Sequence, residues 1–506
     1  MSSFHPKPLA ACLAVAVLCA PGFVRAGHAF DSARNDERGK PTWWVRPDPA
    51  EIASRWTPAR HPIPSVPANA LVVQNCNDSG SGSLREAVAS ATSGDTIDLT
   101  QLACSTITLT SGEIDVDQDD LSIQGPGAAS LSISGNDAVS VLRHSGSGTL
   151  SVYDLSIMHG TKYLTEGVGL DAKGGCIYSA ASVVLADAVI ADCTARYTGS
   201  TYGAKGGAIF AYRSVSLSNS SVLDSSAISS GPDNGSGGGI YSLGSVGVFD
   251  SFVAGNYASY SAAGLFAAGA LRVKYSTIDS NNAGSVVGGL AAFGDITIAS
   301  STLSNNQAVS RYGAGFMHSQ FATLAVTITN STISGNSALA VGGLGLDTHD
   351  GLPGATIANS TIAFNHEGSA SKYGAGLYLD GTVDLESTIV SNNSYAGATL
   401  PDDIGGASGS AITGADDLIG YSGIPIPDDT IVMTDPILGP LAMNGGPTST
   451  HALLSGSPAI DAGNDVAAAS YDQRGPGYPR VIGTSTDIGA YEFDADAAIF
   501  ADGFDP

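Results

Sequence analysis

Acidic side chains are the residues of this chain that could most directly do chemistry, because two carboxylates facing each other across a groove can hydrolyse a glycosidic bond. In the repetitive part of the sequence they occur one at a time within predicted turns, at Asp154, Asp187, Asp192, Asp224, Asp250, Asp279, Asp295, Asp384 and Glu386. The histidines of the same part share no motif; they are His159, His318, His349 and His366. This dispersal predicts no catalytic pair, and no catalytic residue is assigned from the sequence.

One acidic cluster has the ligand type that calcium prefers. Oxygen ligands alternate along Asp115, Asp117, Asp119 and Asp120, and Ca²⁺ binds through such hard donors. The spacing of an EF-hand loop and its central glycine are missing. A charged edge strand is the favoured interpretation, so the sequence predicts no cofactor and no metal site, with calcium as the open alternative.

A basic residue is followed by tyrosine four times, in the segments where repeat length varies most. The pairs are Lys162-Tyr163, Arg196-Tyr197, Arg311-Tyr312 and Lys372-Tyr373. Stacked repeats would align these pairs along one edge, as a locally cationic strip that binds a sugar chain or another surface. The alternative is that each tyrosine folds over its own loop and covers the core.

The elements that would position these residues are repeats. A small-polar pair, an aliphatic residue and an asparagine three positions later recur, as in Ser276-Thr277-Ile278 with Asn281. Degenerate copies extend the phrase back to Val253, Leu223, Ile190 and Ile157, and the aliphatic residues are 25 to 33 positions apart. Repeats of this length predict a stacked solenoid.

A second phrase keeps step with the first. A Gly-Gly or Ala-Gly pair runs into an aliphatic or aromatic residue at Ile177, Ile209, Ile240, Leu265, Leu290, Phe316, Leu344 and Leu377. Apolar and small polar residues alternate with period two between the phrases, which is typical of strands. Two or three short strands per coil predict an all-β fold, the single-stranded parallel β-helix, with a cap at each end.

The repeated asparagine has a structural interpretation. Equivalent side chains of a β-helix stack coil on coil, and an amide both donates and accepts, so a column of amides can satisfy itself in a buried turn. The column is predicted from Asn256, Asn281, Asn306, Asn336, Asn365 and Asn392, with Cys193 and Ser226 at the equivalent positions of earlier coils.

The N-terminus predicts export. Lys7 precedes an apolar run from Leu9 to Leu18, and small residues allow cleavage after Ala26 or Ala29. We divide the chain into a signal peptide (1–26), a Pro/Trp-rich arm (27–69), an N-terminal cap with the first coils (70–145), repeats (146–400), a C-terminal region (401–492) and an acidic tail (493–506). No membrane-spanning segment is predicted after the signal peptide.

Four cysteines remain after signal removal, and they allow three pairings. The pairs of sequence neighbours, Cys76–Cys104 and Cys176–Cys193, are favoured in an oxidising compartment. The formal net charge of −26 makes nucleic acid an unfavourable partner. The oligomeric state is left open.

Both ends of the chain resemble regions of exported bacterial proteins. Cys76 with Gly82-Ser83-Leu84-Arg85-Glu86-Ala87-Val88 resembles the CSLREAI-type N-terminal domain. The series Gly456-Ser457-Pro458-Ala459-Ile460-Asp461, Asp472-Gln473-Arg474-Gly475 and Asp487-Ile488-Gly489-Ala490-Tyr491-Glu492 resembles the choice-of-anchor Q domain. The repeats are similar to those of polymorphic outer-membrane proteins. These resemblances imply a right-handed β-helix on a cell-surface, secreted or periplasmic protein, and they imply no chemistry.

The residues after Glu492 show no hydrophobic anchor and no sorting signal, so release or periplasmic retention is expected. The sequence thus predicts a non-catalytic exported β-helix that binds a polysaccharide or a cell-surface component. The alternative is a carbohydrate-active enzyme of the pectate-lyase type, because the same fold carries both activities.

Overall fold

The computed structural model describes residues 63–231, 235–318, 325–348, 354–369, 371, 373–395, 401–464 and 468–495. The predicted signal peptide, the predicted arm up to residue 62, Lys372, His349 and the tail after residue 495 lie outside the described residues.

The described residues form a parallel β-solenoid of about 11 turns, of the right-handed type, with almost no helix among them. Each coil contributes strands to three long sheets, named here A, B and C in the order in which a coil meets them, and most coils also contribute to a shorter sheet D. Neighbours in every sheet come from successive coils. The predicted all-β fold class is therefore confirmed.

Sheet A has eleven strands, eight of which carry the Gly-Gly phrase. They are Ile114–Val116, Leu142–His144, Ile177–Ser179, Ile209–Ala211, Ile240–Ser242, Leu265–Ala267, Leu290–Ala292, Gly315–His318, Leu344–Asp347, Leu377–Asp380 and Ile404–Gly406. Sheet B has thirteen strands, Leu71–Val72, Asp95–Asp98, Leu121–Gln124, Thr149–Tyr153, Ser182–Ala186, Val215–Ser218, Val246–Phe249, Leu271–Lys274, Ile296–Ala299, Val326–Thr329, Ala355–Ala358, Thr382–Glu386 and Ala411–Ala415.

Sheet C has thirteen strands, and the Ser-Thr-aliphatic phrase or a degenerate copy of it lies in those from Ser156–Met158 to Ile389–Ser391. The thirteen are Thr106–Thr108, Ser132–Ser134, Ser156–Met158, Val189–Ala191, Ser221–Leu223, Phe252–Ala254, Thr277–Asp279, Thr302–Ser304, Thr332–Ser334, Thr361–Ala363, Ile389–Ser391, Leu418–Ile419 and Ile431–Val432. Sheet D has nine strands, Thr161–Thr165, Thr194–Thr198, Ser226–Ser229, Tyr257–Ala258, Asn282–Ala283, Gln307–Ala308, Ser337–Ala338, His366–Glu367 and Ser394–Tyr395. A three-stranded sheet E joins Ala172–Lys173, Ala204–Lys205 and Gly235–Ser236.

Alternation of side chains across each strand builds the core. In sheet B the second and fourth residues of Ser182–Ala186 are buried and the others are half-buried, and sheets A and C likewise turn their repeated aliphatic residues inward. Stacked coils merge these rows into one continuous apolar core from Val73 to Ile419.

The N-terminal end of the β-helix is closed by the one helix of the described residues, Leu84–Ser90. The Ser83 side chain accepts a hydrogen bond from the backbone N–H of Glu86, and the Glu86 carboxylate accepts one from Gly82. This is a capping box with the back-bond shifted by one residue. Leu84 and Val88 are buried against the first coils. No helix in the described part of the chain is long and apolar enough to span a bilayer.

Both predicted disulfides are present, Cys76–Cys104 in the cap and Cys176–Cys193 within one coil. Cys176 and Cys193 are fully buried. The second bridge therefore ties the residue before strand Ile177–Ser179 of sheet A to the turn that follows sheet C.

The asparagine column is a directed ladder of buried amides. Asn256 donates from Nδ2 to Asn281 Oδ1 at 3.0 Å, and the same bond repeats from Asn281 to Asn306, Asn336 and Asn365 at 2.9 Å in each case. Each amide also donates to a strand carbonyl of the preceding coil, such as Val222 O for Asn256. The column therefore satisfies itself along the axis of the β-helix.

Two predicted positions in the last repeat are wrong by one residue. Asn365 donates to Asn393 at 2.8 Å, so Asn393 and not Asn392 continues the column. Val390, rather than Ile389, pairs with Ile362 and points inward. The adjacent Asn392 takes the left-handed turn, with φ at 63°.

The same one-residue shift occurs twice more, because the inward residue of each strand fixes the register. Ser225 and not Ser226 accepts the bond from the backbone N–H of Cys193, at 3.1 Å. Gly315 and not Phe316 pairs with Leu290 in sheet A. Phe316 consequently points outward.

The coils continue beyond residue 400, where the sequence had suggested a boundary, because Ile404–Gly406, Ala411–Ala415 and Leu418–Ile419 extend sheets A, B and C. After Ile431–Val432 the chain folds back along the outer face of sheet C and forms the antiparallel hairpin Leu438–Ala442 with Thr450–Leu453.

This returning segment, residues 435–464 and 468–493, is bound to the outward side chains of sheet C. Thr302 donates to Ser449 O at 2.6 Å, Thr332 donates to Gln473 Oε1 at 2.6 Å, and Ala490 N donates to Thr361 Oγ1 at 3.1 Å. Gln473, Arg474 and Glu492 of the anchor-like motifs are buried. These motif residues therefore act as packing residues within this segment.

Candidate functional site

The four predicted basic-tyrosine pairs do not form one line. Lys162-Tyr163 and Arg196-Tyr197 lie in paired strands of sheet D, in which Tyr163 is opposite Arg196. Tyr163 is 53% exposed, whereas Tyr197 is fully buried among alanines. The two neighbouring pairs therefore point their tyrosines to opposite faces of the sheet.

The later pairs lie elsewhere on the coil. The backbone of Tyr312 forms isolated parallel β-bridges with Val287 and Val341, and the residue is only 8% exposed. Tyr373 uses its backbone N–H to donate to Glu367 Oε2 at 2.8 Å. Lys372 lies outside the described residues. Tyr197 and Tyr312 thus pack against the coils, as the alternative interpretation expected, and sugar binding by the four pairs stays a hypothesis.

The structure brings together a different set of aromatic residues, on the outer face of sheet A. Each of four successive strands has a buried first and third residue and an aromatic second residue, namely Tyr178, Phe210, Tyr241 and Phe266. These residues are in register from coil to coil. Their rings stack with centroid separations of 5.8, 5.7 and 4.4 Å and interplanar angles below 10°.

The row of rings continues past one strand, Leu290–Ala292, that carries no ring. Ala291 follows Phe266 in register, and Phe293 fills that place, with its centroid 5.5 Å from Phe266 and 6.3 Å from Phe316. The aromatic strip, as we name the outward rings from Tyr178 to Phe316, crosses six strands. At about 4.8 Å per strand it is about 24 Å long.

Tyr312 closes the far end of the aromatic strip over a glycine. A Cβ atom on Gly345 would stand 2.2 Å from a ring carbon of Tyr312, and Tyr312 stacks on Phe316 with centroids 4.9 Å apart. Only glycine leaves room for this ring. Burial raises the pKa of the Tyr312 hydroxyl, so it stays neutral.

Cationic side chains border the N-terminal end of the aromatic strip. Lys173 Nζ lies 4.9 Å from the ring centroids of both Phe210 and Tyr212, and it donates to Tyr212 Oη at 2.9 Å. Lys205 Nζ lies 5.5 Å from the Tyr241 centroid. Burial lowers the pKa of Lys205, and cation–π contacts favour its charged form.

Tyr212 is the most exposed ring of this group, at 41%. It meets Tyr178 and Phe210 edge to face. The rings cover one another so closely that Phe210 and Phe293 are buried, and Tyr212 therefore offers the most open aromatic surface for a ligand. The sequence contained a signal for this site: an aromatic residue directly follows the aliphatic residue of the Gly-Gly phrase in Ile177-Tyr178, Ile209-Phe210, Ile240-Tyr241 and Leu265-Phe266.

An acidic group lies at the opposite end of the face. His318 Nδ1 is 2.8 Å from Asp347 Oδ2, and both side chains are about one-fifth exposed. Asp380 follows Asp347 in the next strand. The face therefore changes from basic to acidic along its length.

Closely placed carboxyls occur in the last coils, where substrate could not reach them. Glu367 and Asp402 are 0% and 1% exposed. Burial, together with the hydrogen bond to Asp402, raises the pKa of Glu367 to about 8. Glu367 accepts hydrogen bonds from Ser369 and Tyr373, so it caps its own loop. A glycosidase pair must face a groove, and this pair does not.

Two further carboxyls end the internal polar columns. Asp403 accepts from the Nδ2 and the backbone N–H of Asn393, at 2.8 Å each, as the last acceptor of the asparagine ladder. Asp417 accepts from the backbone N–H of Thr388 at 2.8 Å. Burial raises the pKa of Asp403 to about 7 and that of Asp417 to about 8.

The acidic cluster near residue 117 does not converge on a point. Asp117 accepts from Ser145 Oγ at 2.6 Å, Asp119 from the N–H and Oγ of Ser147 at 2.8 Å, and Asp120 from the N–H of Thr149 at 2.8 Å. The remaining member, Asp115, pairs with Arg143 at 3.4 Å. Each of these carboxylates thus makes a hydrogen bond or an ion pair to a residue of the next coil. Across the described residues, no group of three or more His, Cys, Asp or Glu side chains could hold a metal ion.

Comparison with known proteins adds little to this geometry. No family model matches the chain, and no curated protein matches it. Among solved structures it is similar to the crystal structure of pectate lyase Pel9A, with 15% sequence identity, 85% of this chain and 98% of that chain covered, and a TM-score of 0.40. The fold assignment rests on the strand register described above.

Proposed function

We propose that this protein is an exported, non-catalytic β-helix protein that binds an extended glycan along the aromatic strip of sheet A. The observation that carries the proposal is the continuous row of rings bordered by Lys173, Lys205 and Tyr212. Aromatic and cationic groups repeated at the spacing of the coils suit a ligand that itself repeats, such as a polysaccharide.

The disulfides support the exported location, because such bonds persist in oxidising compartments. The tyrosine hydroxyls of the aromatic strip are neutral hydrogen-bond donors and acceptors, since burial raises the pKa of both Tyr178 and Tyr241. Sugar hydroxyls require such partners.

Cleavage of the same polymer is a second candidate, favoured by the His318–Asp347 pair on the same face. A histidine held by a carboxylate can act as a general base. Binding without product release would support the first candidate, and shortening of the polymer would support the second.

The test is affinity electrophoresis of the full mature protein in gels that contain neutral, acidic or amino-sugar polysaccharides. Tyr212→Ala should weaken retardation about tenfold in the responsive gel, since it removes the most open ring. Tyr471→Ala is the matched control, because Tyr471 is 42% exposed and Tyr212 is 41% exposed. Equal binding by the two variants, with both folded, would overturn the assignment to the aromatic strip.

A parallel variant tests the pairs expected from the sequence. Tyr163→Ala changes an exposed ring of sheet D, on a different sheet from the aromatic strip. If glycan binding falls for Tyr163→Ala and not for Tyr212→Ala, the site lies on sheet D instead.

A further inference from the structure

A separate cleft of about 310 Å³ opens on sheet C, where the returning C-terminal segment ends its cover. Its floor is the outward face of two strands, with Thr277 and Asp279 on one and Ser304 on the next. Phe252 and Met443 contribute to its walls. The volume is at the lower end of that found for small-molecule sites.

The cleft lies beside the hydrogen bonds by which the described hairpin residues bind the later strands of sheet C. Ser449 O accepts from Thr302 at 2.6 Å, and Thr448 Oγ1 donates to Ser300 O at 3.3 Å. His451 Nε2 lies 2.8 Å from Ser334 Oγ. The hairpin therefore covers the strands of sheet C from Thr302 onward, and the preceding strand lies at the edge of the covered area.

Asp279 makes this cleft chemically distinct. Its counterparts in the neighbouring strands are Ala254 and Ser304, so a carboxylate is inserted in a row of small residues. The Asp279 side chain accepts hydrogen bonds from Ser304 Oγ at 2.6 Å, Asn305 Nδ2 at 2.9 Å and Ser280 Oγ at 2.8 Å. Three side-chain donors thus fix the direction of its oxygens.

Asp279 is 2% exposed, yet among the described residues no Lys, Arg or His forms an ion pair with it. A buried carboxylate is costly unless it is paired with a positive charge. A carboxylate offers about four acceptor positions, and three are used by the side chains named above. The site lacks a cation, and a ligand could supply it.

We propose that the cleft binds one amino-sugar unit through its ammonium group. The ammonium group pairs with Asp279, while Thr277, Ser304 and Asn305 provide donors and acceptors for ring hydroxyls. Phe252 gives the apolar face of the ring a surface to contact. The strongly negative protein also attracts a cationic ligand over a distance.

The probes that test this are glucosamine, glucose and butylamine, measured by saturation-transfer NMR and calorimetry on the full mature protein. Glucosamine should bind saturably, with glucose at least about tenfold weaker because it lacks the charge. Butylamine should also be weaker, because it lacks the hydroxyls. Equal binding of glucose and glucosamine, or no saturation by glucosamine at about 10 mM, would refute the proposal.

Asp279→Asn keeps the shape of the side chain and removes the charge, so it should reduce glucosamine affinity about tenfold or more. Asp384→Asn, on the outer face of sheet B, is the matched control and should leave affinity unchanged. Ala442→Met fills the cleft without altering the carboxylate and should also abolish binding. Tyr212→Ala should leave glucosamine affinity unchanged, which distinguishes this site from the aromatic strip.

Discussion

The asparagine column makes one buried side chain responsible for several hydrogen bonds at once. Asn306 Oδ1 accepts from the backbone N–H and the Nδ2 of Asn281, at 3.1 and 2.9 Å. Asn306 Nδ2 donates to Ile278 O and Asn336 Oδ1, at 2.9 Å each. Asn306→Ala removes all four bonds and leaves two buried donors of Asn281 without an acceptor.

The expected loss of stability follows from the buried donors that no longer have an acceptor. A buried donor or acceptor left without a partner costs about 1–3 kcal/mol, so two orphaned donors predict a loss of about 2–6 kcal/mol in the free energy of unfolding. Gln307→Ala is the control in the adjacent position. Gln307 is exposed and accepts one bond, from Asn282 Nδ2 at 3.0 Å, so its loss should stay near about 0.5 kcal/mol.

The assay is urea unfolding followed by far-UV circular dichroism, together with amide hydrogen exchange read peptide by peptide. Because each coil contacts only its neighbours, the damage should be local. Exchange should accelerate in the coils that contain Asn281, Asn306 and Asn336 before it does so at the caps. A loss for Asn306→Ala within about 1 kcal/mol of that for Gln307→Ala, with unchanged exchange, would refute the view that the column stabilises the β-helix.

Three further perturbations have defined outcomes. Burial raises the pKa of Asp417 to about 8; the native state therefore keeps a proton that the unfolded chain releases above about pH 4, and stability should fall from pH 4 to 8, less steeply in Asp417→Asn. Cys176→Ser with Cys193→Ser should lower stability by about 3 kcal/mol in urea unfolding, whereas no change would show that the packed coil alone closes this loop. Gly345→Ala should displace the Tyr312 ring and cost about 1–3 kcal/mol by thermal unfolding, and a stability equal to wild type would show that the ring moves freely.

The sequence predicted the coils because the requirement for an inward aliphatic residue repeats in every turn. It misplaced the last column member because Asn392 and Asn393 are adjacent and both complete a similar phrase. The choice between them depends on whether Ile389 or Val390 faces the core. That is settled by pairing with the previous coil, in which Ile362 is opposite Val390. A local phrase cannot report such pairing.

The returning C-terminal segment was harder to foresee. Its motifs resemble a surface-anchor region, but Gln473 accepts from Thr332, and its amide donates to Thr302 at 3.0 Å. These contacts join residues more than 140 positions apart, and no periodicity of the sequence indicates them. The outward threonines of sheet C are the surface to which this segment is bound.

The proposed site on the aromatic strip lies in a different part of the coil from the site predicted from the sequence. The basic-tyrosine pairs predicted from the sequence lie in the segments where repeat length varies most, whereas the first rings of the aromatic strip directly follow the aliphatic residue of the Gly-Gly phrase. In strand Ile177–Ser179 the first and third residues are buried while Tyr178 points outward, and Phe210 repeats this one coil later. Because alternate residues of one strand face opposite sides, the same short segment can preserve the core and still vary its outer surface. The register that aligns the core residues also aligns the outward rings, so a repeated binding surface requires no additional loop.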